Sequence, residues 1–185
     1  MIRRALVSSV AALFLVFALP LTANAQSVYV LAGLSAPTGD YGDIADTGWL
    51  GAGGVTFPVG EAGVWAGAEA LFGNNSFSSE TVDESYKVFS AMGIVGYDIP
   101  TQSSVSPYLF GGLGIMSLSN GDSESGFGWQ GGAGVAFAGE SNVTPFVEGR
   151  FQSASIDIGD GVSDTDITVS FFGIEAGVSI GVGSN

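Results

Sequence analysis

The chain has 185 residues, with no cysteine, no histidine and a formal net charge of −14. Without histidine and cysteine there is no Ser-His or Cys-His catalysis, no usual zinc or haem site and no disulfide. With 18 carboxylates against four cations the chain repels phosphate backbones, which excludes nucleic-acid binding and a polybasic membrane-surface mode.

Arg3 and Arg4 precede an apolar stretch from Ala5 to Leu21, broken only by Ser8, Ser9 and Pro20. Ala23-Asn24-Ala25 then supplies small residues where a signal peptidase reads. This predicts an exported chain with a cleaved signal peptide over 1–25 and one mature domain over 26–185. The mature part keeps only Lys87 and Arg150 as cations against all 18 carboxylates, a net charge of −16. None of its stretches approaches twenty uninterrupted apolar residues, so a transmembrane helix is not expected there. Glycines recur every two to five residues, and each would cost a helix roughly 1 kcal/mol.

A period of two fits better, and it predicts eight strands. The first, Ser27–Leu34, contains Val28-Tyr29-Val30-Leu31, which does not alternate in polarity. The second is Gly48–Phe57. In the third, Gly63–Phe72, Val64, Ala66, Ala68, Ala70 and Phe72 oppose Trp65, Gly67, Glu69 and Leu71. The fourth and fifth are Tyr86–Ile99 and Val105–Leu118. The sixth, Gly126–Ala138, sets Phe127, Trp129, Ala133, Val135 and Phe137 against Gly128, Gln130, Gly132 and Gly134. In the seventh, Thr144–Ser155, Glu148, Arg150 and Gln152 alternate with Val147, Gly149 and Phe151. The eighth, Ile167–Val182, sets Phe172, Ile174, Ala176, Val178, Ile180 and Val182 against Gly173, Glu175, Gly177 and Ser179.

The connections alternate in kind. Pro58–Ala62, Pro100–Ser104 and Gly139–Val143 read as short turns. Ser35–Thr47, Gly73–Ser85, Ser119–Ser125 and Ile156–Asp166 read as longer loops, and they hold 12 of the 18 carboxylates. Short turns at one end and long loops at the other predict an all-β, eight-stranded antiparallel up-and-down transmembrane β-barrel. Trp49, Trp65, Trp129, Tyr86, Tyr97, Tyr108, Phe57, Phe72 and Phe137 lie mostly near strand ends, where the headgroup layer satisfies an amphipathic ring.

Four stretches carry a family resemblance. Pro107-Tyr108-Leu109-Phe110-Gly111-Gly112-Leu113-Gly114-Ile115 resembles the fifth strand of the small outer-membrane β-barrel domain family, the OmpA-like and OmpX-like eight-stranded barrels. Gly131-Gly132-Ala133-Gly134-Val135 resembles the sixth strand, and Pro145-Phe146-Val147-Glu148-Gly149-Arg150-Phe151 the seventh. Gly173-Ile174-Glu175-Ala176-Gly177-Val178-Ser179 resembles the closing strand. The resemblance implies a bacterial outer-membrane location, with periplasmic short turns and external acidic loops.

Candidate chemistry concentrates in the lumen. Glu69, Glu148, Arg150 and Glu175 fall on polar faces and are expected to form a hydrogen-bonded ion network, read either as lumen filling or as a gate. For the pairing of Arg150, cross-strand Glu175 or Glu69 is favoured over Glu148, which stands two residues away on the same strand. Paired carboxylates also serve glycosidases, but no sugar cleft is legible on so narrow a scaffold, so an enzyme is not expected. Asp157, Asp160, Asp164 and Asp166 form an acidic loop with oxygen ligands of the kind that hold Ca²⁺; its spacing fits no EF-hand, and a solvated loop is the favoured reading. The glycine runs lack the Lys-Ser/Thr ending of a phosphate cradle and instead relieve crowding inside a tight barrel. No cofactor is implied.

The expected function is a structural or surface-interaction role in the outer membrane, as a monomer with lipid around it and external loops free for surface partners. A narrow or gated pore for small solutes is the alternative. A soluble periplasmic barrel carrying an apolar ligand is a second one, and it would need the oily strand faces inside.

Overall fold

Side chains on a pleated strand point alternately to opposite faces, so a sequence of period two becomes a sheet with one oily and one mixed face. In the structure, a computed structural model, residues 27–60, 62–77, 85–120, 122–137, 141–157 and 166–182 are described. The predicted leader over 1–25 lies outside the described residues. The strands are β1 (Ser27–Thr38), β2 (Gly48–Pro58), β3 (Val64–Ser76), β4 (Ser85–Asp98), β5 (Val105–Asn120), β6 (Asp122–Phe137), β7 (Val143–Asp157) and β8 (Asp166–Gly181). Each pairs antiparallel with the next, and β1 also pairs with β8, which closes the barrel. Closure leaves no strand edge unpaired, which backbone in hydrocarbon requires.

The oily face is outside. Ile174, Phe127 and Leu34 are 76%, 66% and 63% exposed, whereas Glu69, Arg150 and Glu175 are 5%, 2% and 2% exposed. A soluble carrier needs the reverse arrangement and is set aside. Outward rings gather towards the two ends of the barrel. Trp49 meets Phe72 at 5.6 Å, and Trp129, Phe151 and Phe172 form a chain across β6, β7 and β8 at 5.4 and 4.8 Å. Tyr97 and Phe137 are exposed near the short turns. Three of the aromatics expected in the headgroup layer, Trp65, Tyr86 and Tyr108, instead turn into the lumen. There the Trp65 N–H and the Tyr108 hydroxyl find acceptors that lipid would not offer.

β1 obeys the alternation that its apolar sequence conceals. Tyr29, Leu31 and Ser35 point in, and Val28, Val30 and Leu34 point out. Polarity cannot reveal this, because an inward tyrosine and an outward valine are both apolar at the ring or chain. The strands also run further than the alternation of polarity indicates. Most of the expected loop Ser119–Ser125 is strand, with β5 and β6 paired up to Asn120↔Asp122. Between β2 and β3 the short turn is set by Gly60 and Gly63, at φ of 73° and 76°, where a Cβ is strained.

The loop after β1 is not simply a solvated acidic connection. A 3₁₀ turn, Gly39–Tyr41, drives Tyr41 into the long-loop end of the barrel, where it is fully buried. Its hydroxyl donates to Asn75 Oδ1 at 3.3 Å, and Asn75 Nδ2 donates to the Asp46 carbonyl at 2.9 Å. Asn75 on β3 thereby ties the loop down. Burial, and then the adjacent Tyr86 phenol, push the ionisation of Tyr41 above the ordinary phenolic range, so this stopper is neutral. Beneath it lie Leu50, Leu71, Val88, Met116, Ile156, Val169 and Phe171, all buried in one apolar cluster. The outer half of the lumen is therefore a hydrophobic core. Side chains in a space too narrow for water gain most from dispersion and from shedding hydration.

Candidate functional site

The centre of the barrel is organised by Arg150. Val147, Gly149 and Phe151 take the outer face of β7, so Glu148, Arg150 and Gln152 point inward. Arg150 lies opposite Gly173 of β8, where a side chain would crowd the Arg150 Cγ and Glu175; the glycine leaves the guanidinium room to lie across the lumen. Nε donates to Glu175 Oε2 at 2.8 Å. Nη1 donates to Glu69 Oε1 at 2.5 Å and Gln130 Oε1 at 3.2 Å, and Nη2 to Glu69 Oε2 at 3.0 Å and Glu148 Oε1 at 2.7 Å. All five N–H donors are thus engaged. The guanidinium also stands 5.5 Å from the centre of the Phe110 ring.

The carboxylates are held as firmly. Tyr29 donates its hydroxyl to Glu69 Oε2 at 2.8 Å, Gln130 donates to Glu69 Oε1 at 3.1 Å, and Tyr108 donates to Glu148 Oε2 at 2.5 Å. Glu148 and Glu175 face one another across the β7–β8 ladder, where like charges repel, and Arg150 bridges them. Removing three carboxylates and one guanidinium from water is expensive, and only such saturation of donors offsets it. Glu175 Oε1 and both polar atoms of the Gln152 amide have no partner among the described residues.

Below the cluster, towards the short turns, the lumen opens into a cavity of about 500 Å³. Its aromatic wall is built by register. Tyr29 lies opposite Gly54, Trp65 opposite Gly96, Tyr108 opposite Gly134, Phe110 opposite Gly132 and Phe146 opposite Gly177. At each of these glycines a Cβ would strike the facing ring. The crowding relief read from the glycine runs therefore has a specific form, a flat ring seated on a bare stretch of neighbouring strand. Gly134→Ala should destabilise the barrel by about 1–3 kcal/mol through overpacking against Tyr108. Gly131→Ala, on the outer face with only a contact of 3.8 Å to meet, should be nearly neutral. Urea unfolding in lipid vesicles compares the two.

Of the residues singled out by sequence, Glu69, Glu148, Arg150 and Glu175 are brought together from β3, β7 and β8. Arg150 reaches Glu148 as well as the two favoured cross-strand partners, because its planar fork presents five donors on different edges. Tyr29, Tyr108 and Tyr41 were not singled out as site residues. For Tyr29 and Tyr108 the only signal is a place in the inward row of a strand, visible once the facing is known; Tyr41, in a 3₁₀ turn, has no such signal. Asp160 and Asp164 lie outside the described residues. Asp157 and Asp166 form the last pair of the β7–β8 ladder. Among the described residues no group of three or more acidic side chains is disposed to hold a metal ion.

The sequence matches the family model described as outer membrane protein beta-barrel domain over residues 8–179. Among solved structures, Neisserial surface protein A is similar at 19% identity, with 84% of this chain and 96% of that one covered and a TM-score of 0.68. OprG of Pseudomonas aeruginosa is similar at 14% identity, with 85% and 97% covered and a TM-score of 0.55. Ail, the attachment invasion locus protein of Yersinia pestis, is similar at 15% identity, with 86% and 100% covered and a TM-score of 0.51. At such identities the likeness is one of fold. The comparison with curated proteins found no match.

Proposed function

The chain belongs to the outer membrane protein β-barrel domain family, and from that premise we propose a non-conducting, non-enzymatic barrel that serves the integrity of a bacterial outer membrane and offers its external acidic loops to surface partners. The observation that carries this reading is the occupancy of the lumen. The saturated Arg150 cluster spans the middle of the barrel, and the apolar cluster under Tyr41 fills the outer half. In this reading Glu69, Glu148, Arg150 and Glu175 are structural, since Arg150 holds all three carboxylates and Tyr29, Gln130 and Tyr108 take up further oxygens of Glu69 and Glu148. The same commitment argues against acid–base catalysis, which needs a carboxyl within reach of a substrate proton. Export uses the leader over 1–25, and the mature domain begins at Gln26; N-terminal sequencing of envelope protein would find Gln26 first.

Planar-bilayer recording tests the sealed lumen. Wild-type protein reconstituted without detergent should show no openings. Steady single-channel conductance, reproduced across preparations and lost on heat denaturation, would overturn the reading in favour of a pore.

A further inference from the structure

The cavity below the Arg150 cluster has a chemistry of its own. Its volume, about 500 Å³, is that of a small-molecule site. Tyr29, Trp65, Tyr108, Phe110 and Phe146 wall it, and they brace one another, Tyr29 against Phe146 at 6.2 Å and Tyr108 against Phe146 at 6.5 Å, both edge to face. Glu69 and Glu148 line its inner part and Asp98 its outer part, and no lysine or arginine lines it. Arg150 stands behind the two glutamates, outnumbered by the three carboxylates it holds.

The polar groups of this wall are largely spent. Glu69 accepts four hydrogen bonds, the Tyr29 and Tyr108 hydroxyls are donated to glutamates, and Trp65 donates to Asp98 at 3.1 Å. What a guest meets is a negative field, the faces of these rings and, towards the short turns, the hydroxyls of Ser27, Thr56, Thr144 and Ser179. An anion is repelled by that field. In the inner part, where the oxygens of Glu69 and Glu148 are taken, a primary ammonium would leave its hydration shell and find few free acceptors for its three N–H groups. We infer that this cavity is a binding site for an organic cation that has no N–H to donate, a quaternary ammonium with apolar substituents, which aromatic faces and nearby negative charge recognise together. The short-turn end is periplasmic in barrels of this type, so the site is filled from that side. It stands apart from the sealed-lumen reading, because a silent barrel and a conducting one hold the same cavity.

The test uses the mature protein in nanodiscs of phosphatidylglycerol and titration calorimetry with choline, its neutral carbon isostere dimethylbutanol, and ethanolamine. Choline should bind saturably and about tenfold more tightly than either, the margin of a desolvated cation–π contact. Trp65→Leu, Phe110→Leu and Glu148→Gln should each weaken choline about tenfold and leave dimethylbutanol unchanged, while Trp129→Leu on the lipid face should alter neither. Affinity that falls in phosphatidylcholine nanodiscs assigns the site to a lipid headgroup, and affinity that holds assigns it to a free cation; both support the site. No saturable binding, equal affinity for choline and dimethylbutanol, or folded Trp65→Leu with undiminished affinity would overturn it. If the variants fail to fold, the wild-type ranking of the three ligands decides alone.

Discussion

Arg150→Ala should lower the unfolding free energy by about 3–5 kcal/mol, the cost of leaving buried partners of a broken ion pair uncompensated. The residue is 2% exposed and its guanidinium holds Glu69, Glu148 and Glu175 at 2.5, 2.7 and 2.8 Å, so its loss strands three carboxylates in one small volume. Arg150→Lys should recover only part of the loss, because an ammonium has three donors in place of five and cannot fork onto Glu69. Urea unfolding in vesicles, followed by tryptophan fluorescence and by electrophoretic shift of the folded band, measures both. Bilayer recording of the same variant separates two roles for the arginine. A filler predicts a weaker but silent barrel, since Tyr41 and the apolar cluster still close the outer half. A gate predicts that conductance appears when the pairs are broken.

Ala176→Arg should cost about 2–4 kcal/mol in vesicles, the penalty for a guanidinium on the lipid face near the bilayer midplane. Ala176 sits between Ile174 and Val178 in the outward row of β8, and its partners across the ladders are Val147 and Ala32. The residue beside it, Gly177, faces the lumen under the Phe146 ring. A substitution there acts through overpacking, and a charge at Ala176 acts through the solvent. An Ala176→Arg protein that unfolds like wild type would place this face in water.

Much of the architecture is local and so was legible. The pattern around Phe127–Phe137 and Phe172–Ile180 gives strands, and the spacing of the glycines rules out helices without any knowledge of neighbours. The partition of short turns from long connections gives the up-and-down order. Where the reading stopped short, the reason is also physical. At Ser119–Ser125 a polar composition with low strand preference resembled a loop, yet pairing with the facing strand carries the β5–β6 ladder through it. In β1, the alternation of direction left no trace in polarity, because the lumen accepts a tyrosine ring when a carboxylate stands ready for its hydroxyl.

By itself, then, the sequence determined eight alternating strands, an acidic rim and which residues share a face, since these follow from the pleat and from side-chain solvation. Only the tertiary structure decided which face is the inside. It brought Glu69 to Arg150 across 81 positions of chain, set each lumen ring on its glycine, and turned Tyr41 from a loop residue into a stopper. Those outcomes depend on closure between β1 and β8 and on the register it fixes, and register is a property of pairs of strands that no single strand carries.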